Sequence, residues 1–274
     1  MLEKELSDFL LLYGCKAALR ASEEIMKIYS QENINVTLKS DSSLITEADT
    51  LSHNIIKEVL STTRTPLLSE EGRNMLYEER CSWELYWLVD PLDGTHEFVQ
   101  KNDEFIVSIA LMHNNIPVIG VIAVPATGKL YFSLQNRGAY KLEATPKGYL
   151  DFENIDDFIA VSTQMKHIER DNKNIKLVIT RSHINDEILS KVEDYKKEYE
   201  SVKLITCGSG LKFCLLADGD ADVYIRTTPL FDWDIAAGQA IMKELGYKMR
   251  HTNGEEIQYN KNELVIEPFM VTTL

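Results

Sequence analysis

Apolar residues recur at Leu2, Leu6, Phe9, Tyr13, Ala17, Ile25 and Ile28, a helical period that predicts one long helix over residues 2–29. The polar stretch 30–43 reads as a mobile loop. A second helix is expected over 46–60, with Ala48, Leu51, Ile55, Ile56 and Val59 facing inward. Short apolar runs then alternate with turn residues at 66–69, 84–90, 104–112, 116–124 and 129–133, and read as consecutive, antiparallel strands.

From about residue 157 the pattern changes to strands alternating with helices. Strands are expected at 159–162, 176–180, 202–206 and 221–226, and helices at 183–194, 209–217 and 232–245. The turn-rich stretch 143–156 is the natural boundary. It divides an antiparallel-rich α+β part, residues 1–150, from an alternating α/β part, residues 151–274. The implied architecture is layered α and β.

Composition narrows the chemistry. The 274 residues carry 29 basic and 43 acidic side chains, a net charge of −14. Such a surface repels phosphate polymers, so nucleic-acid binding by bulk charge is excluded. An anionic ligand must be held by a local cluster of cations or by metal ions. No apolar run reaches the roughly 20 residues of a membrane helix, and the acidic N-terminus has no apolar signal core. The cysteines Cys15, Cys81, Cys207 and Cys214 form no Cys-x-x-Cys pair and have no histidine spaced beside them. They read as reduced thiols of a cytoplasmic protein rather than a zinc or redox centre.

The most informative string is Trp87-Leu-Val-Asp90-Pro91-Leu92-Asp93-Gly94-Thr95. An apolar strand delivers Asp90 at its carboxyl end, Pro91 stops the ladder, and Asp93 follows closely enough for both carboxylates to enter one small volume. Clustered carboxylates, free amides and a hydroxyl are what a phosphate held by magnesium requires. Upstream, Leu67-Leu-Ser-Glu70-Glu71 ends another short strand, where adjacent side chains point opposite ways, so one acid can join the cluster. Downstream, Asp234 opens a helix followed by small residues that permit close approach to a sheet. Two competing signals fail on inspection. The run Asp218-Gly-Asp220-Ala-Asp222 has Val223 where a calcium loop needs glycine, and Cys207-Gly-Ser209-Gly210 lacks the first glycine of a nucleophile elbow.

Four strings in order resemble the magnesium-dependent, lithium-sensitive inositol monophosphatase superfamily: Ile45-Thr46-Glu-Ala-Asp49, Leu68-Ser-Glu70-Glu71, Asp90-Pro-Leu92-Asp93-Gly94-Thr95 and Trp233-Asp234-Ile-Ala-Ala-Gly. Lys39-Ser-Asp41, Thr180-Arg181-Ser182-His183 and Gly208-Ser209-Gly210-Leu-Lys212-Phe-Cys214-Leu resemble its bacterial 3′(2′),5′-bisphosphate nucleotidase branch, which serves sulfate assimilation. The resemblance implies the α-β-α-β-α sandwich of the inositol monophosphatase and fructose bisphosphatase type. It implies two or three Mg²⁺ per site, ligated by Glu70, Asp90, the Leu92 carbonyl, Asp93 and Asp234. It also implies in-line attack of a metal-activated water without a phosphoenzyme, assisted by Thr95 and Asp49 and oriented by Glu70, with the Asp41 loop closing over the site.

For substrate contacts the resemblance implies Leu92, Asp93, Gly94, Thr95, His183, Ser209, Lys212, Arg226 and Asp234. On the expected helix Lys212 lies one turn after Ser209, so both can meet one phosphate, and Arg226 at a strand end should lie at the rim. A cationic set suits the second phosphate of a nucleotide bisphosphate. The expected reaction converts 3′-phosphoadenosine 5′-phosphate to AMP in the cytoplasm, with a small-molecule substrate, no nucleic-acid polymer and no stable membrane insertion. Peripheral association with the inner membrane, and a monomer or a homodimer, remain alternatives. So do an inositol or sugar monophosphate phosphatase and, from another class, a non-catalytic nucleotide-binding protein. His96 stands where that branch usually has lysine, and Gly210 where it usually has serine.

Overall fold

The computed structural model describes residues 2–39, 43–169, 173–181 and 185–273. Helix α1 (Lys4–Tyr29) leads through the short hairpin of β1 (Val36–Leu38) and β2 (Leu44–Thr46) into α2 (Glu47–Ser61). Strand β3 (Leu67–Ser69) and the one-turn α3 (Tyr77–Arg80) precede β4 (Leu85–Asp93), which runs into the short α4 (Thr95–Val99). The meander β5 (Ile106–His113), β6 (Ile116–Val124), β7 (Lys129–Leu134) and β8 (Gly138–Leu142) follows, then α5 (Ile155–Ala160) and β9 (Thr163–Gln164). Strands β3 to β9 lie side by side in chain order as one seven-stranded sheet. Only the β3–β4 pair is parallel, so the expected antiparallel meander is present.

The period of two along these strands serves two cores at once. Trp87, Val89, Val107 and Val121 face α1 and α2. Tyr86, Leu88, Ile106 and Ile122 face the opposite way, into a second core that includes Ile235, Ala236 and Phe213. Both faces being covered explains why β5 and β6 read as continuous apolar runs rather than as half-polar strands.

The chain continues through β10 (Asn174–Thr180), α6 (Asp186–Glu198), β11 (Ser201–Cys207), α7 (Leu211–Ala217), β12 (Val223–Arg226), β13 (Leu230–Phe231) and α8 (Asp232–Glu244). Strands β14 (Lys248–His251), β15 (Val265–Ile266) and β16 (Phe269–Thr272) complete it. A five-stranded sheet has the order β11-β10-β12-β16-β14, with β10 parallel to both β11 and β12. Helix α6 covers its outer face through Ile188 and Val192. Helices α7 and α8 fill the space between the sheets. The layers are therefore α1/α2, sheet, α7/α8, sheet and α6, the five-layer sandwich anticipated above.

Two glycines let α8 lie in so narrow a space. A β-carbon on Gly120 would sit 2.3 Å from the Ala237 carbonyl oxygen, and one on Gly238 would sit 2.3 Å from the Phe213 ring. Neither distance is tolerable, so side chains at these positions would push α8, and Asp234 with it, away from the sheet.

Four expectations need correction. Residues 159–162 are no strand, because the Asn154 side chain caps α5 by accepting from Asp157 N, and the helix carries the apolar Ile159 inward. The stretch 30–43 is not all loop: it contains β1, which pairs with β2 just beyond it in a ladder too short and too exposed to show as a pattern. The helix expected at 209 begins at Leu211, since Ser209 has φ +43° and Gly210 is the cap. The helix expected at 183–194 runs Asp186–Glu198, capped by Asn185; residues 182–184, His183 among them, lie outside the described residues.

Candidate active site

Strand β4 ends in a bulge. Asp90 pairs with Ser108 and Asp93 with Ile106, so β4 takes three steps where β5 takes two. Pro91 has no N–H to leave unpaired there. Leu92 N donates to Asp90 Oδ1 at 3.0 Å, and Ser52 Oγ donates to the Pro91 carbonyl at 2.7 Å, fixing the turn from both sides. Gly94 follows at φ +99°, and a β-carbon there would meet the Glu104 carbonyl at 2.9 Å and Ser209 Cβ at 3.0 Å. Only glycine satisfies both the dihedral and the space.

Glu70 lies just past β3, its N–H bonded to the Val89 carbonyl at 3.1 Å, which sets it beside the end of β4. Asp234 is the third residue of α8, and its Oδ2 accepts from Phe231 N at 2.8 Å, pinning the side chain to the helix start. Oxygens of Glu70, Asp90 and Asp234 all lie within 4.8 Å of one another. Asp93 Oδ2 accepts from Gly210 N, which ties the first half of the chain to the loop before α7.

Burial and mutual repulsion dominate the electrostatics. Asp90 is 2% exposed, and burial, then the charges of Glu70, Asp93 and Asp234, hold its carboxyl well above the usual range. Burial raises Asp93 to about 6, with the Lys212 ammonium and the Gly210 amide pulling the other way. Asp234 is raised for the same reasons, burial first and then Asp93 and Glu70. A cluster of this kind keeps its charge only with cations inside it.

Beside the cluster, Thr46 caps α2 and Asp49 closes the capping box, its Oδ2 accepting from Thr46 N at 2.8 Å and Thr46 Oγ1 at 2.6 Å. Asp49 Oδ1 accepts from Thr95 Oγ1 at 2.9 Å, while the Leu92 carbonyl stands 3.4 Å from the same hydroxyl. Thr95 has one proton, and the shorter, charged contact takes it. Its lone pairs stay available to a second donor. Burial raises the Asp49 carboxyl, opposed by the bonds from Thr46 and Thr95. Lys39 Nζ reaches Glu70 at 2.8 Å and also contacts Glu71. Burial works against its charge, but the two carboxylates outweigh that and hold the ammonium above the usual lysine range. Asp41 lies outside the described residues.

A hollow of about 130 Å³ joins Ser209, Lys212 and Arg226 to Asp93, Gly94 and Asp234. The second-half cations are thus brought to the carboxylates, though more deeply than expected. Lys212 is 2% exposed, with Nζ donating to the Cys207 carbonyl at 3.1 Å and the Ser209 carbonyl at 2.5 Å and lying 5.5 Å from the Tyr224 ring centre. Arg226 sits in the wall rather than at the rim: its guanidinium bonds Thr180 Oγ1 at 2.8 Å and the Thr228 carbonyl at 2.9 Å. Arg181 is exposed and paired with Glu104 at 2.5 Å. Volume does not mark the site out, since a hollow of about 540 Å³ between His251 and Pro268 holds none of these residues. The buried charge does. Neither Ser52 nor the Lys39 ion pairs carry a signal in the sequence, whereas the Thr46-x-x-Asp49 capping box is a local one.

The fold and this carboxylate-lined site define the class: the chain belongs to the inositol monophosphatase family, whose model matches residues 8–272. Among known relatives it is similar to the 3′(2′),5′-bisphosphate nucleotidase CysQ of Salmonella typhimurium, 35% identical over 94% of this chain and 97% of that protein. It is also similar to the enzyme of the same name from Buchnera aphidicola, 36% identical over 92% and 88% of the two chains. The crystal structure of CysQ from Bacteroides thetaiotaomicron, described as a bacterial member of the same family, superposes with a TM-score of 0.86. It is 38% identical over 96% of each chain. Among the described residues no helix is long and apolar enough to cross a membrane.

Proposed function

We propose that this chain is a Mg²⁺-dependent phosphatase that removes the 3′-phosphate of 3′-phosphoadenosine 5′-phosphate, giving AMP and phosphate. The observation that carries this reading is the adjacency of two opposite environments. Asp93 and Asp234 line the same hollow as Lys212 and Arg226, so a ligand can present one phosphate to the acids and another to the cations. The bisphosphate nucleotidases to which the chain is similar act on such a ligand by name.

The donor set fits Mg²⁺: hard carboxylate oxygens, three of them within 4.8 Å, with Asp90 and Asp234 both buried and raised by burial and by the neighbouring acids. Glu70, Asp90, Asp93, Asp234 and the Leu92 carbonyl would hold the metal, and two Mg²⁺ would balance the four carboxylates. Bound there, Mg²⁺ supplies charge to the phosphate oxygens and acidifies a water. The protein's own part is orientation. Thr95, its proton committed to Asp49, accepts a hydrogen bond from the attacking water and aims it at phosphorus; Asp49 receives the proton through that hydroxyl. One P–O bond forms as the ester P–O bond breaks; the ribose oxygen leaves as an alkoxide whose charge bound Mg²⁺ would offset, and it takes its proton from solvent. The test is phosphate release from 3′-phosphoadenosine 5′-phosphate and from inositol 1-phosphate, with and without Mg²⁺ and with added lithium. Strong preference for the nucleotide is expected; preference for the inositol phosphate would discard the reading.

Stability without metal should fall as pH rises. Asp93 goes from 3.8 to about 6 on folding, so the folded protein binds a proton that the unfolded chain releases. That contribution is complete below about pH 4 and is lost as pH passes 6. Asp90 and Asp234, raised by the same burial and mutual repulsion, act in the same direction. The rise in Tm on adding Mg²⁺ is therefore expected to be larger at pH 7.5 than at pH 5, and equal shifts in thermal melts would contradict the charge argument.

A further inference from the structure

One carboxylate in the hollow has no part in the chemistry described so far. Glu97, on α4 four residues after Asp93, lines the same space as Lys212 and Arg226, and its side chain makes no hydrogen bond or ion pair among the described residues. Its seat is shaped for it. A β-carbon on Gly208 would lie 2.5 Å from both Glu97 Cγ and Oε1, so the carboxylate rests directly on glycine backbone. That backbone is itself fixed, Gly208 N donating to Glu104 Oε2 at 2.7 Å.

Glu97 supports the charge of the Lys212 ammonium across the hollow but has no hydrogen-bond donor of its own there, and a carboxylate so placed repels a phosphate ligand unless that ligand offers it a donor. A nucleoside 3′,5′-bisphosphate has two kinds of donor, the sugar hydroxyl beside the scissile ester and the amino group of the base. At about 130 Å³ the hollow is small against the ~300–1,000 Å³ of sites that enclose a whole ligand, so it admits the sugar-phosphate end of the ligand between the acids and the cations and leaves the base outside. Asp93, which faces the scissile phosphate, and Glu97 belong to one short segment. The hydroxyl one carbon from the ester is thus the donor nearest to hand.

We propose that Glu97 accepts a hydrogen bond from the ribose hydroxyl vicinal to the scissile phosphate, making it a specificity-determining residue for ribonucleotides. The proposal rests on the bisphosphate reading above. It is tested by kcat/KM for adenosine 3′,5′-bisphosphate and its 2′-deoxy analogue, measured on the Mg²⁺-loaded wild type and on Glu97→Ala, Glu97→Gln and Gly208→Ala. The ratio of the two substrates is taken within each protein, so partial misfolding cancels. The wild type is expected to prefer the ribose form by roughly 10- to 100-fold, the range for a hydrogen bond to a charged group. Glu97→Ala should bring the ratio close to one. Gly208→Ala should do the same by unseating the carboxylate, and Glu97→Gln, still an acceptor, should keep part of the preference. A wild-type ratio near one, or an unchanged ratio in Glu97→Ala, overturns the proposal and leaves the bisphosphate reading intact. An equal loss on both substrates would make Glu97 merely the electrostatic partner of Lys212 and overturns it too. Failure of the wild type on both nucleotides overturns that reading and the proposal together.

Discussion

Asp90→Asn is expected to lower kcat/KM by on the order of 10³-fold or more, several kcal/mol of charge stabilisation, while raising the Tm of the Mg²⁺-free protein. Asp90 is buried among Glu70, Asp93 and Asp234, and its carboxyl is held well above the usual range. Near neutral pH, folding without metal must either bury that charge or take up a proton. An asparagine needs neither. Its oxygen can still accept from Leu92 N, and its amide can donate to the neighbouring carboxylates. The same change removes one of the oxygens able to hold a cation. Steady-state assays in Mg²⁺ and thermal melts in chelator, both at pH 7.5, check the two halves. A variant that loses activity and also melts lower without metal would show that Asp90 is structural first.

Thr95→Ala is expected to lower kcat by roughly 10²- to 10⁴-fold, the range for a positioned proton-transfer group, with little change in the Mg²⁺ concentration for half-maximal rate. The Thr95 hydroxyl is joined to Asp49 at 2.9 Å, and Asp49 is anchored by two bonds to Thr46. In the mechanism proposed above, removing the hydroxyl breaks the path from water to carboxylate but leaves the carboxylate cluster in place. Thr95→Ser restores the hydroxyl without the methyl group and should recover most of the rate. If Thr95→Ser stays as slow as Thr95→Ala, packing of the methyl group matters rather than the hydroxyl.

What sequence could show follows from distance along the chain. The Asp90–Thr95 string was legible because proline, glycine and a strand end fix a turn within six residues. The five layers were legible because α1, the meander and the strand-helix alternation have strong periods. The stretch 159–162 misled because an apolar run there suits either structure, and the Asn154–Asp157 cap decided it. Ser52 holding the Pro91 carbonyl 39 residues away has no local signal at all. Nor has Glu97 resting on Gly208, or Lys39 on Glu70 and Glu71. The depth of Arg226 was missed because its partners, Thr180 and the Thr228 carbonyl, are supplied by a neighbouring strand and a turn.

The carboxylates that make the site reach it from far apart: Glu70 and Asp90 at strand ends in the first half, Asp234 on a helix 141 residues beyond Asp93. During synthesis at about 5–20 residues per second, Asp234 trails Asp93 out of the ribosome by roughly 7–30 s. Through that interval the first three acids stand on an incomplete surface in contact with solvent, without the fourth carboxylate that α8 brings. The nascent chain thus carries an unfinished acidic cluster until α8 seats between the two sheets, and the four carboxylates first meet at that step.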